Sequence, residues 1–263
     1  MALMHVDFFS DVLGMSVNMD VILPQQTHGQ IGMEGRTVQG KYKTMYLLHG
    51  MSDDHTIWQR RTSIERYVSD LGIAVVMPTT HLGFYTDTTY GMRYWTFISK
   101  ELPSICLEFF PNMSDQKEDT LAAGLSMGGY GAWKLALGAS DTFGAAASLS
   151  GALDIISDYQ RSHRENPRLT PLLTGIFGSL EDLKGSDNEI ITLADKLAAQ
   201  KKELPRLYAW CGTEDFLYEG NLLVWEHVKK LGYSLTCEQP GGDHQWQYWD
   251  AKIQDVLKWW LNG

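Results

Sequence analysis

The chain has no run of lysine or arginine longer than two residues, and its 22 basic side chains are outnumbered by 32 acidic ones. The resulting formal charge of −10 lacks the electrostatic footprint of a nucleic-acid binder, so no polyanionic partner is expected. Apolar runs of membrane-spanning length are also missing, as is a basic N-terminal segment leading into a continuous apolar stretch. Neither a membrane span nor a secretion signal is legible, and a cytoplasmic protein is expected. Cysteine is scarce: Cys106, Cys211 and Cys237 are widely spaced and form no C-x-x-C pair. That leaves no disulfide framework and no zinc or dithiol motif, so the three read as buried, reduced thiols.

What is present suffices for a sizeable core. At 263 residues and 44% hydrophobic, the chain is expected to form one domain over residues 1–263. Apolar and polar residues alternate in Val6–Phe9 and Val17–Leu23, which predicts an antiparallel opening pair of strands. Short apolar runs then alternate with helical patterns: "KTMYLLHG", "IAVVMP", "DTLAAGLS", "FGAAASLSG", "RLYAWCG" and "YSLTCEQP" read as strands. Tyr94–Phe110 reads as a helix kinked at Pro103, and the last helix starts at Trp246 with Trp249, Ile253, Val256 and Trp260 on one face. The expected architecture is α/β: a central, mostly parallel twisted sheet with helices on both faces and an antiparallel N-terminal edge. Residues 153–205 break the rhythm. They are polar and irregular, and are expected to form an insertion of short helices over one end of the sheet, where a substrate lid could sit.

Within "TLAAGLSMGGYGAWKLAL", Ser126 lies between Gly124 and Gly128 in a G-x-S-x-G pattern that joins a strand to a helix. In such a turn the serine takes a strained backbone conformation, and larger flanking side chains would collide with the neighbouring chain. The small residues expose one hydroxyl at the carboxyl end of the sheet, where the N–H groups of the next helix face developing negative charge. A glycine-lined turn with a capping serine is the plainer alternative.

A serine hydroxyl needs a base, and the base an acid to orient it, in the chain order Ser, Asp or Glu, His. The histidines after Ser126 are His163, in the polar insertion; His227, within a helical pattern; and His244, in the glycine-rich loop "QPGGDHQWQYW". His244 is the candidate base. "LYAWCGTEDFLYEGN" places Glu214 and Asp215 just beyond a strand end; Asp215 is preferred, and Asp243 is a rival set too close in sequence to face the ring. The backbone N–H groups of Met51, after "YLLHG", and of Met127 are the candidate oxyanion donors. His49 with Asp53, Asp54 and His55 could suggest a metal site, but the apolar strand leading into His49 does not match usual ligand sets, and no metal or cofactor is expected. Trp58, Tyr85, Trp95 and Trp246 are candidate aromatic walls of a substrate pocket, each equally open to ordinary packing.

"YLLHGM", "FYTDTTYG", "ELPSICLEFFP", "AGLSMGGYGAWKLAL", "SLSGALD", "WCGTEDFLYE" and "GDHQWQYW" together resemble the esterase D group of α/β-hydrolases, and above all its tributyrin-esterase branch, essentially end to end. The resemblance implies Ser126 as nucleophile, Asp215 as acid, His244 as base, and Met51 and Met127 as oxyanion amides. It further implies a carboxylesterase acting on small-molecule, short-chain acyl or small aryl esters with water, through an acyl-serine. S-formylglutathione hydrolase is the runner-up, although "YLLHGMSDDH" departs from the run typical of that group. A non-catalytic binding protein on the same fold is a third reading. The N-terminal edge strands permit a homo-oligomer.

Overall fold

The computed structural model describes residues 1–263. The alternating segments at the start of the chain form β1 (Ala2–Ser10) and β2 (Met15–Leu23), an antiparallel pair. β3 (Thr44–Leu48) leads through the short helices α1 (Ile57–Arg61) and α2 (Ile64–Val68) to β4 (Ala74–Pro78). α3 (Tyr94–Thr96) and α4 (Leu102–Phe109) precede β5 (Thr120–Leu125), which runs into α5 (Met127–Gly138) and then β6 (Ala145–Leu149). Between β6 and β7 (Arg206–Trp210) lie α6 (Ile155–Glu165), α7 (Thr170–Phe177), α8 (Leu180–Leu183) and α9 (Ile190–Ala199). α10 (Tyr218–Lys230), β8 (Leu235–Glu238) and α11 (Trp246–Leu261) complete the chain.

All eight strands join one sheet in the order β1-β2-β4-β3-β5-β6-β7-β8. β2 pairs antiparallel with β1 and β4, and every pairing from β4 to β8 is parallel. A parallel strand covered on both faces reads as a near-continuous apolar run, and each residue of β3, β4, β5 and β6 is indeed buried, with Thr44, Thr120 and Ser148 the polar members. Alternation then sorts them between two cores. Tyr46, Leu48 and Ala122 face the layer containing α5, α9 and α10; Met45, Leu47, Leu121 and Ala123 face the one built from α1, α2 and α11. No helix is long and apolar enough to cross a membrane.

Two local predictions need refinement. The segment Tyr94–Phe110 is helical throughout, but its turns widen to a π-helix over Phe97–Glu101 before α4 begins. Pro103, which has no N–H to donate, follows directly on the π-turn, where the Leu102 N–H reaches back to Phe97 O. The polar stretch after β6 forms α6 to α9, and these divide in two. α9 packs along α5 as an ordinary crossover helix, with the Tyr130 hydroxyl donating to the Asn188 carbonyl at 2.7 Å. α6 and α7 instead lie over the carboxyl end of the sheet, with Ile155, Tyr159 and Leu173 turned inward. Because the central strands are parallel, the loops that follow β3, β5, β7 and β8 all open at that same end.

Candidate active site

Ser126 sits between β5 and α5 at φ 52° and ψ −117°, in the region that L side chains rarely adopt. Its neighbours explain how the strain persists. A Cβ on Gly124 would lie 2.5 Å from the backbone of Gly128, and one on Gly128 would lie 2.5 Å from the Leu48 carbonyl oxygen and 2.7 Å from that of His49. The turn is wedged between its own helix and β3, with no space for a methyl group. The Ser126 N–H donates to Leu149 O at 2.9 Å, while Ser126 O accepts from the N–H groups of Tyr130 and Ala152. With its backbone held on every side, the serine has its Cβ fixed at the carboxyl end of the sheet.

That hydroxyl meets His244. The His244 Nε2 lies 3.0 Å from Ser126 Oγ, and Nδ1 lies 2.9 Å and 3.1 Å from the two oxygens of Asp215. The Asp215 side chain has no exposed surface. Burial raises its carboxyl pKa, but hydrogen bonds from the His244 ring and the Leu217 amide, together with the imidazole charge and Ser150, outweigh burial and hold it below the usual carboxylate value. Asp215 is therefore the ionised partner that fixes the ring with Nδ1–H towards it and Nε2 free to accept.

Glu214, its neighbour, does different work. The Glu214 carboxylate accepts from the Gly242 N–H at 2.5 Å, and the Glu214 N–H donates to Gly242 O at 3.0 Å. It thereby braces the loop that carries His244, and this bond to the Gly242 amide is the main reason that its pKa is lowered. Asp243 is exposed and makes no side-chain contact with the ring. Two further supports carry no motif. Phe216 lays its ring 4.6 Å from the imidazole, and the Ser150 hydroxyl accepts from Trp249 Nε1 at 3.1 Å below the acid.

Met127 is the first residue of α5 and Met51 follows Gly50 beyond β3. Neither backbone N–H has an acceptor within the protein, and both residues line the cavity that contains Ser126. Two uncommitted donors beside a nucleophilic oxygen are what a developing oxyanion requires. Behind them, His49 is fully buried. Its Nδ1–H donates to Gly50 O at 2.7 Å and its Nε2 accepts from the Thr80 N–H at 3.0 Å. Burial lowers its pKa to about 4, so the ring is neutral and serves as a strut under the Met51 loop.

The model of the family described as Esterase matches residues 10–260. An acetyl esterase of Caldicellulosiruptor saccharolyticus is 30% identical over 262 residues, covering 98% of each chain. The chain belongs to this esterase family. Among solved structures, the fluorophosphonate-binding serine hydrolase F of Staphylococcus aureus is 34% identical with a TM-score of 0.86, covering 100% of this chain and 99% of its own. An S-formylglutathione hydrolase of the same organism is also 34% identical, with a TM-score of 0.83 over 98% of both chains. The protein is thus a serine esterase, a carboxylic ester hydrolase on the α/β-hydrolase fold.

The esterase has a cavity of about 190 Å³ beside Ser126, lined mainly by apolar side chains, among them Phe84, Ile155, Tyr159, Leu172 and Leu173. None of the four aromatic residues expected as its walls is there. Trp58 is 1% exposed on the opposite face of the sheet, where its Nε1–H donates to Leu48 O and its ring packs edge-on against Trp246. Tyr85 is fully buried and its hydroxyl donates to His49 O at 2.8 Å, bracing the Met51 loop from within. Trp95 packs over the Lys134 ammonium on the flank of α5. Much of the wall comes instead from the insertion, whose aliphatic residues carry no motif, with Phe84 and Phe216 contributed by other loops. Asp158 also reaches this cavity; burial pushes its carboxyl up to about 7 against the pull of Arg161. A cleft of about 300 Å³ at the other end of the sheet, bounded by Lys43, Lys117 and Arg206, contains none of these groups.

Proposed function

We propose that this esterase hydrolyses short-chain acyl esters through an acyl-serine at Ser126, with His244 as base, Asp215 as the acid that orients it, and the amides of Met51 and Met127 as the oxyanion hole. The observation that carries this reading is the unbroken relay of 3.0 Å and 2.9 Å contacts from Ser126 through His244 to Asp215, with two unpaired amides at its Ser126 end. In the first step His244 Nε2 takes the Ser126 proton as Oγ bonds to the ester carbonyl carbon. The carbonyl oxygen becomes an alkoxide held by the two N–H groups. His244 then gives its proton to the departing alkoxy oxygen, the C–O bond breaks, and the acyl-serine remains. Water, deprotonated by the same imidazole, repeats the sequence and releases the acid, while Asp215 stabilises the imidazolium in both halves.

The small cavity favours short groups, since pockets for drug-sized ligands are commonly about 300–1,000 Å³. The name of the C. saccharolyticus relative, an acetyl esterase, points the same way. The hydrolase from S. aureus supports a second reading, that the leaving group is the sulfur of S-formylglutathione. A series of p-nitrophenyl esters of rising acyl length, run beside S-formylglutathione on the purified protein, separates the two. The ester reading predicts the highest kcat/KM for a two- to four-carbon acyl group; a much larger value for the thioester would replace it.

A further inference from the structure

The cavity beside Ser126 is not the only one at this end of the sheet. A second cavity, of about 570 Å³, lies directly outside it and is lined by polar groups that include Asp154, Arg164, Glu219 and Glu226. The two have Asp158, Arg161, Phe216 and Leu217 in common. Those four side chains therefore form a partition between an inner apolar chamber and an outer polar one.

The partition joins two segments more than fifty residues apart in the chain. Arg161, on α6, donates from Nη2 to Asp158 Oδ1 at 2.8 Å and from Nη1 to the Phe216 carbonyl oxygen at 2.6 Å. Its guanidinium also stacks 4.9 Å above the Phe216 ring. Phe216 is 61% exposed, an unusual position for a large apolar ring, and it touches both the Arg161 guanidinium and the His244 imidazole. One arginine thus fastens the insertion to the segment carrying Asp215, and uses both ends of its fork to do so.

We propose that Arg161 and Phe216 are the residues that set chain-length specificity, by closing the inner chamber against the outer one and so limiting the unbranched aliphatic chain of the substrate. The inference rests on the esterase reading above. While the clasp is closed, a chain longer than the chamber must displace the hydrogen-bonded Arg161–Asp158 pair and a stacked ring. With it removed, the end of the chain passes into the outer cavity. The aliphatic chain can belong to the acyl or to the alcohol half of the ester, and a test must vary each in turn.

The experiment measures kcat/KM for wild type, Arg161→Ala, Arg161→Lys and Phe216→Ala with p-nitrophenyl esters of two to ten acyl carbons, and with acetates of alcohols over the same range. The readout is the ratio of long-chain to short-chain kcat/KM within each protein, which cancels any shared loss in Ser126 chemistry or in folded fraction. Arg161→Ala and Phe216→Ala are each expected to raise that ratio on the order of tenfold in one of the two series. Arg161→Lys, with one point charge for two acceptors, should fall between them and wild type. A ratio unchanged in both series for both alanine variants overturns the proposal while leaving the esterase reading intact. A wild type that hydrolyses no ester in either series removes that reading and the inference with it.

Discussion

The elbow formed by β5 and α5 and the insertion formed by α6 and α7 meet at the same cavity, yet they are built on opposite terms. In the elbow the backbone decides everything. The strand is buried throughout and the helix up to Leu137, the serine is strained, and a methyl group on either flanking glycine would strike main-chain atoms. In the insertion the side chains decide. α6 buries only Ile155 and Tyr159, and it is held to the rest of the site by one arginine. The contrast assigns the proposed reactivity to a backbone geometry with no room for a methyl group, and the proposed selectivity to a wall made of side chains.

This contrast can be broken in several ways. The largest effect is expected from Ser126→Ala, which should lower kcat by about 10⁶ with the fold retained, as judged by circular dichroism and kinetics together. Turnover near the wild-type rate in a pure, folded variant would remove Ser126 from the chemistry. Asp215→Asn should follow with a loss of about 10⁴ in kcat, because an amide in place of the carboxylate favours the wrong imidazole tautomer. A loss of less than tenfold would mean that Asp215 is a structural acid only.

Gly128→Ala tests the elbow as architecture. Its new methyl would lie within 2.7 Å of two backbone carbonyl oxygens, so a loss of about 4 kcal/mol or more is expected in urea denaturation. A cost under about 1 kcal/mol would show that the strand and helix separate easily.

A smaller effect concerns His49 behind the Met51 loop. The unfolded chain binds a proton there as the pH falls below 6.5, whereas the folded protein resists until about 4. Between these values the unfolded state holds more protons, so stability falls with falling pH, by on the order of 3 kcal/mol across the window. Denaturation of wild type and His49→Gln at pH 7 and pH 4.5 should show a smaller acid loss in the variant; equal losses would place the proton elsewhere. The chain-length shifts expected from Arg161→Ala complete the comparison from the side of the insertion.

How much of this was legible beforehand follows the same division. The strand runs and the residues of the relay could be read because each stands in a context with few alternatives: a serine between two glycines, a histidine in a glycine-rich loop, an acid past a strand end. The α/β sheet with its antiparallel edge was legible from period and apolar runs alone. The pocket was not. Trp58, Tyr85, Trp95 and Trp246 looked like walls because aromatic rings serve packing and binding alike, and local sequence does not say which face of the sheet a ring will reach. The division of labour between Glu214 and Asp215 was likewise visible only once the loop after β8 lay against the loop after β7. Arg161 carried no signal at all, since its partner Phe216 lies far along the chain.

The central claim is that the Ser126 oxygen is activated by the imidazole of His244 beside two free amides. Its most direct test is the mass of the intact protein after brief exposure to a fluorophosphonate, in wild type and in His244→Ala. The account predicts a single stoichiometric adduct mapped to the peptide containing Ser126 in the wild type, with labelling slowed by several orders of magnitude in the variant. An adduct on another residue, or equal labelling rates in the two proteins, would contradict it.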